Sequence, residues 1–157
     1  HAELFPGAEN TGKLVTLVKQ HARLFAEDQH VPLMIVDGPP GIGCPVISAS
    51  AGADLALLVA EPGVSGRHDL ERAIQTLLHF KVPILVTVNK ADLYARGTEE
   101  IIRMAQRYGC KMGENIPFDP AIPQAMLLAH PVTETSPASP SAIALQKLWA
   151  QIQDELF

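Results

Sequence analysis

Cysteine, basic charge and long apolar runs are all scarce in this sequence, and each scarcity excludes a class of protein. Cysteine occurs only 2 times in 157 residues. Cys44 and Cys110 lie far apart without a C-x-x-C partner, so neither a disulfide framework nor a zinc site is encoded. Two reduced thiols of a cytoplasmic protein are the expectation. The 12 Lys and Arg stand against 17 Asp and Glu, a net charge of −5, so no general positive field exists to hold a nucleic-acid backbone or an anionic membrane. No apolar run approaches the roughly 20 residues that cross a bilayer, and Lys13, Lys19 and Arg23 interrupt the first helical stretch. Neither a nucleic-acid partner nor a membrane span is expected.

What is present suits one compact domain spanning residues 1–157. Hydrophobic residues make up 47% and charged residues 18%, enough to bury a core. Residues 1–6 carry neither a basic n-region nor an apolar h-region, and there is no initiator methionine, so the sequence reads as a piece of a longer polypeptide.

Periodicity supplies the order of elements. Apolar spacing at Leu14, Leu17, Val18, Ala22 and Phe25 predicts an amphipathic helix over 11–28 with its stripe facing a core. The β-branched run 31–36 predicts a buried strand ending at Asp37. The run 53–60 predicts a second strand, followed by a helix over 69–80, and 82–88 a third strand, followed by a helix capped at Thr98 and ending at Gly109. A short fourth strand is predicted at 116–119, and helices over 122–129 and 142–156. Strands that are apolar throughout, alternating with helices, imply an α/β fold of three layers, a mostly parallel sheet with helices on both faces. Ligands of such sheets bind beyond the carboxyl ends of the strands. Those ends are Asp37, Glu61, Asn89 and Asp119, so the chemically distinctive residues gather on one edge.

Two loops carry the chemistry. In L-M-I-V-D-G-P-P-G-I-G, residues 33–43, a carboxylate at a strand end needs a cation or hydrogen bonds. Asp37 is then a Walker-B-type residue facing Mg²⁺. Gly38, Gly41 and Gly43 leave backbone N–H groups accessible, while Pro39 and Pro40 stiffen the turn, a composition suited to sensing a terminal phosphate. The alternative is a tight turn with a capping Asp. In V-T-V-N-K-A-D, residues 86–92, the Asn89 amide can pair with a purine, the Lys90 stem can lie against the base, and Asp92 can accept two guanine N–H groups. The alternative is a turn in which Asn89 and Asp92 bond their own backbone.

A third match is broken. Residues 7–13 satisfy G-x-x-x-x-G-K, yet Leu14 stands where a P-loop requires Ser or Thr, and no strand of usual length precedes it. A helix entry is expected there, with Lys13 near an anion. His68 and Cys44 read as a helix-start partner and a packed thiol.

The stretches GAENTGKLVTLVKQHA, IVDGPPGIGCPVISASAGADLALLVAEPGVSGRHDLERA, NKADL and IPFDPAIPQAM together resemble the MinD/ParA-superfamily (SIMIBI) P-loop ATPases that contain an inserted ferredoxin domain. The likeness spans nearly the whole chain. It implies the C-terminal portion of such a domain, without the Walker A strand and loop, whose partners are a nucleotide, the upstream P-loop and ferredoxin parts, and a second copy in a homodimer. ATP and Mg²⁺ are the implied cofactors of the full-length ATPase. Iron–sulfur clusters belong to the inserted module, and none is expected within these residues.

By the same resemblance Asp37 is the Mg²⁺-associated carboxylate and, with Gly41, part of the catalytic centre. Gly38, Pro39, Gly41 and Gly43 form the second switch loop. Asn89, with Lys90 and Asp92, reads the purine, and Pro117 and Asp119 flank it. Ser65, Asp69 and Arg72 correspond to positions near a dimer interface. The piece alone is expected to be inactive. A GTP-binding module, favoured by Asp92, and a non-catalytic dimerisation or docking domain are the other readings. Because the strand leading to a P-loop normally lies between the strands ending at Asp37 and Ala60, a gap, a recruited segment or a borrowed strand is expected there.

Overall fold

The computed structural model describes residues 12–38 and 43–157. Its centre is a parallel sheet of three strands, β1 (Ala56–Ala60), β2 (Ile84–Val88) and β3 (Lys111–Met112), in the order β1-β2-β3. The sequence I-L-V-T-V makes β2 central: all of its positions are buried, which only a strand covered on both faces permits. Its one polar side chain, Thr87, is satisfied by donating to the Glu114 carbonyl at 2.6 Å, so no buried hydroxyl is left unpaired.

Helices cover the sheet on both faces. On one side Ile84, Val86 and Val88 pack with Leu70, Ile74 and Leu77 of α3 (Val64–His79) and Ile101, Met104 and Ala105 of α4 (Ala95–Arg107). On the other side Leu85 packs with Ile116 and with Ala144 and Leu148 of α7 (Pro140–Leu156). Two short helices, α5 (Ala121–Leu127) and α6 (Val132–Thr135), lead into α7, and Ala125 and Val132 pack on Ala142. This is the three-layer α/β arrangement expected from the alternating pattern.

β3 is shorter than its partner because the chain bulges. Met112 pairs with Val86 and Ile116 bridges to Asn89, so four steps on one side match three on the other. Asn115 sits in this bulge and its Oδ1 accepts from the Val88 N–H at 3.1 Å, replacing the ladder bond that the bulge interrupts. The predicted strand at 116–119 is therefore a single bridge, with the ladder itself placed earlier, at Lys111–Met112.

The largest correction concerns residues 31–36. They form no strand among the described residues, and Ile35 is 77% exposed. A strand exists only through ladder partners, and among the described residues this run has none, with β1 paired to β2 on one edge only. Positions of β1 that share the Leu85 side are correspondingly open, with Val59 57% exposed. The strand position beside β1 is a gap among the described residues.

The amphipathic helix α1 (Gly12–Asp28) forms as the spacing predicts, but its stripe meets no core: it has no buried residue, and Leu24 and Phe25 are exposed. It packs instead on α2 (Cys44–Ser50). Lys19 Nζ donates to the carbonyls of Ala49 at 2.6 Å and Ala51 at 2.7 Å, satisfying the end of α2.

Candidate functional site

Parallel pairing brings the carboxyl ends of β1 and β2 side by side, since Ala60 is in register with Val88. The Asn89 N–H donates to the Ala60 carbonyl at 2.8 Å. The Asn89 Oδ1 accepts from the Lys90 N–H at 3.0 Å. That bond fixes which end of the amide is the oxygen, and it leaves the two N–H donors of Nδ2 for another partner. Lys90 has φ +54, a left-handed conformation that turns the chain back over the strand end. Its Nζ meets Glu61 Oε1 at 2.6 Å.

The next two residues tie this loop to its neighbours. The Ala91 N–H donates to the Ile116 carbonyl at 3.1 Å, and Thr98 Oγ1 donates to the Ala91 carbonyl at 2.7 Å. Asp92 Oδ1 accepts from the Phe118 N–H at 2.6 Å. Asn89, Lys90, Asp92 and Pro117 therefore lie within two loops stitched together at one end of the sheet.

Asp119 belongs to the same segment but its side chain is turned inward. The carboxylate accepts from the Ala121 N–H at 2.8 Å, the Ser141 N–H at 3.1 Å and the Ser141 hydroxyl at 2.8 Å. These bonds, the Ala121 N–H foremost, hold its carboxyl well below the usual range, at about 2. Asp119 thus fastens the loop to the starts of α5 and α7, and its oxygens are spent on the chain itself.

A cavity of about 480 Å³ opens beside these loops, bordered by Ala91, Asp92, Asn115, Pro117, Pro140 and Ile143 among others. That volume lies in the range of small-molecule sites. Glu114 and Lys147 pair at 3.1 Å on its lining.

The loop after β1 is locked onto the helices that follow. Gly66 in the first turn of α3 faces the Glu61 carbonyl, and Gly97 in the first turn of α4 faces the Pro62 carbonyl and the Tyr94 ring, with no room for a Cβ at either. Arg67 reaches across to Glu100 at 2.6 Å. Ser65 and Asp69 are joined by a 3.4 Å contact, and with Arg72 they are exposed on α3.

Of residues 37–43, the described ones are Asp37, Gly38 and Gly43. Asp37 and Gly38 are exposed and lie outside the sheet, which corrects the expectation of a carboxylate ending a buried strand. Pro39 and Gly41 lie outside the described residues. Gly43 is exposed and precedes α2, Cys44 begins that helix, and Lys13 is exposed in the first turn of α1. Cys110 is buried in the core and burial pushes its thiol up. No group of three His, Cys, Asp or Glu that could hold a metal occurs among the described residues, and no helix there is long and apolar enough to cross a membrane.

Sequence reasoning did not single out Asn115, Ser141 or the Glu61–Lys90 pair. The first two act through folding that no short motif announces. The pair was readable in principle, since an acid and a base end adjacent parallel strands.

No protein-family model matches the chain. It is 33% identical over 152 residues to an uncharacterized protein of Methanocaldococcus jannaschii, covering 97% of this chain and 49% of that protein. It is 22% identical over 138 residues to an iron-sulfur cluster carrier protein of Aquifex aeolicus, covering 78% of this chain and 38% of that protein. The chain thus spans half or less of these relatives. Among solved structures, the cell division ATPase MinD of Pyrococcus furiosus superimposes with a TM-score of 0.64 at 28% identity, over 75% of this chain and 50% of that one. The MinD cell division protein of Aquifex aeolicus gives a TM-score of 0.74 at 22% identity, over 89% of this chain and 61% of that one. The septum site-determining protein MinD of Pyrococcus horikoshii, complexed with Mg-ADP, gives 0.64 at 25% identity, over 74% of this chain and 48% of that one. In fold and in sequence the chain is similar to the MinD ATPases.

Proposed function

We propose that this chain is the purine-reading and switch-bearing portion of a MinD-like ATPase, completed by a P-loop elsewhere in the same polypeptide. The observation that carries the reading is the joining of the Asn89–Asp92 loop to the 116–119 loop at the carboxyl end of the sheet, through Ala91, Ile116, Asp92 and Phe118. A site that presents amide donors at a sheet edge beside an open cavity suits a planar heterocycle.

Asn89 Nδ2 supplies donors to an acceptor nitrogen of the base, because its Oδ1 is taken by the Lys90 N–H. An N7 acceptor is common to both purines. Guanine selection needs two acceptors from one carboxylate, and Asp92 Oδ1 is already engaged by Phe118. The Asp92 Oδ2 and the second lone pair of Oδ1 stay open, so the GTP-binding reading stands beside the ATP one, and competition between the two nucleotides separates them.

Asp37 and the glycines of residues 38–43 are assigned to the phosphate side. A single exposed carboxylate fits Mg²⁺, which takes one or two carboxylates together with phosphate oxygens and water. The relative complexed with Mg-ADP agrees with that chemistry. The metal would neutralise charge on the transferred phosphoryl group, while Asp37 orients it and the backbone N–H groups of the loop bind the phosphate. Coupling to iron–sulfur chemistry, through a ferredoxin part held outside these residues, rests on the motif likeness and on the cluster-carrier relative. The exposed Ser65, Asp69 and Arg72 on α3 are assigned to contact with a second copy.

The test is ATP binding and hydrolysis by the protein with its P-loop portion. Asn89→Ala should weaken ATP binding about tenfold or more, and Asp37→Ala should abolish turnover with binding largely kept. Tight binding and turnover by residues 1–157 alone would overturn the division of labour. Unchanged activity in both variants would reject the reading altogether.

A further inference from the structure

We infer that Asp92 is a positioning residue, holding the 116–119 loop at a fixed distance from Asn89 rather than touching the base. This rests on the purine reading above.

The geometry isolates its role. Asp92 is exposed, and its Oδ1 accepts one short bond, 2.6 Å, from the Phe118 N–H, twenty-six residues along the chain. A carboxylate accepting from a backbone amide is among the stronger hydrogen bonds. Ile116 and Asp119 of this segment are buried whereas Phe118 is 49% exposed, so the Asp92 bond acts where side-chain packing is weakest. On the far side the segment is fastened by Asp119 to Ser141 and Ala121. Pro117 lies between Ile116, whose carbonyl the Ala91 N–H holds, and Phe118, whose N–H Asp92 holds, and it borders the cavity, as do Ala91 and Asp92 themselves. The separation of Pro117 from the Asn89 loop, and hence the width of the cavity mouth, is set by the Asp92 bond on one side and by the Ala91 N–H to Ile116 bond beneath it.

The Phe118 bond takes one of the several acceptor positions of the carboxylate, and what marks Asp92 as a positioning residue is that this bond ties the 116–119 loop to the loop of Asn89. A clamp acts equally on either purine, because it moves the wall of the pocket and not a contact with one base.

The experiment compares wild type, Asp92→Ala and Asp92→Asn in two measurements on the protein with its P-loop portion. In the first, hydrogen exchange at the Phe118 amide is followed by NMR without nucleotide. Alanine should accelerate it, and asparagine, which keeps an Oδ1 acceptor, should largely restore protection. In the second, ATP and GTP are titrated separately. Asp92→Ala should weaken both by a similar factor, about tenfold, and Asp92→Asn should recover most of the loss. Selective loss of GTP binding, with ATP unaffected, would overturn the proposal by making Asp92 a base reader. Unchanged titrations despite faster exchange would overturn it by separating the clamp from the pocket. Unchanged exchange in Asp92→Ala would remove the clamp itself. If wild type binds neither nucleotide, the purine reading falls and takes the positioning role with it, while the exchange data still report whether the bond exists.

Discussion

Lys90 at the end of β2 reaches Glu61 at the end of β1, Nζ to Oε1, at 2.6 Å. The two side chains are 41% and 57% exposed, so water and salt screen them and the pair contributes at most about 1 kcal/mol. Its weight lies in direction: it draws the Lys90 stem across the strand ends instead of out into solvent. Glu61→Gln should therefore change urea stability by less than about 1 kcal/mol, and raising the salt concentration should shrink even that difference. A loss several times larger would mean that the pair is doing structural work its exposure does not explain.

Gly97 sits where α4 passes the Pro62 carbonyl and the Tyr94 ring, and a Cβ would collide with backbone. Backbone cannot swing aside as a long side chain can, so Gly97→Ala should destabilise the chain by about 1–3 kcal/mol. Gly52 has φ +68 but open space around it, and there alanine should act through the backbone alone. Thermal melts of the two variants separate crowding from conformation.

Asp119 gives a signed dependence on pH. Its carboxyl stands at about 2 in the folded chain against an ordinary 3.8, through the Ala121 N–H first and then the Ser141 N–H and hydroxyl. A folded value below the unfolded one means that ionisation favours folding. The contribution is complete above the unfolded value, declines as pH falls from 3.8 towards 2, and is absent below that window. Asp119→Asn should reduce stability at neutral pH and flatten the pH dependence within the window. Denaturant titrations at neutral pH and at about pH 2.5 test this. An unaltered slope would show that another carboxylate governs acid unfolding.

The open edge of β1 predicts association. Its outward N–H and C=O groups lack a ladder partner among the described residues, and Val59 and Leu57 are exposed beside it. Unpaired edges flanked by apolar surface recruit other chains. Residues 1–157 alone should self-associate as concentration rises, and Val59→Lys should suppress it. Sedimentation velocity that stays monomeric for the unsubstituted chain across a hundredfold concentration range would count against this.

How much of this was legible beforehand depends on the range of the interaction. The run I-L-V-T-V declares a central strand because no other setting buries each of its side chains, and Asn89 follows from it as a strand-end residue. The helix over residues 12–28 was equally plain, since its apolar spacing is local. Residues 31–36 show the limit. Their composition is that of a buried strand, yet a strand is a property of pairs, and the run meets no partner among the described residues. Asp92 and Asp119 show another limit. Asp92 reads as a base-reading carboxylate and Asp119 as a residue flanking the base, and the structure adds that Asp92 accepts from the Phe118 N–H and Asp119 from the Ala121 and Ser141 N–H groups. Composition told that acids would be present at the edge, but only the fold told which way they turn.

The bulge opposite β2 carries a consequence for how such a chain tolerates change. Side chains alternate along a strand, and one surplus residue between Met112 and Ile116 inverts the alternation. Met112 accordingly leans on the α3 and α4 side, whereas Ile116 joins Leu85 beneath α7. Deleting one residue of 113–115 would leave three steps on each strand, so Ile116 would keep its register with Asn89 and its place beneath α7, whereas four evenly paired steps would carry it to the side of Met112. What the surplus residue adds is thus Asn115 and its bond to the Val88 N–H, so a deletion that keeps Asn115 should be far milder than one that removes it.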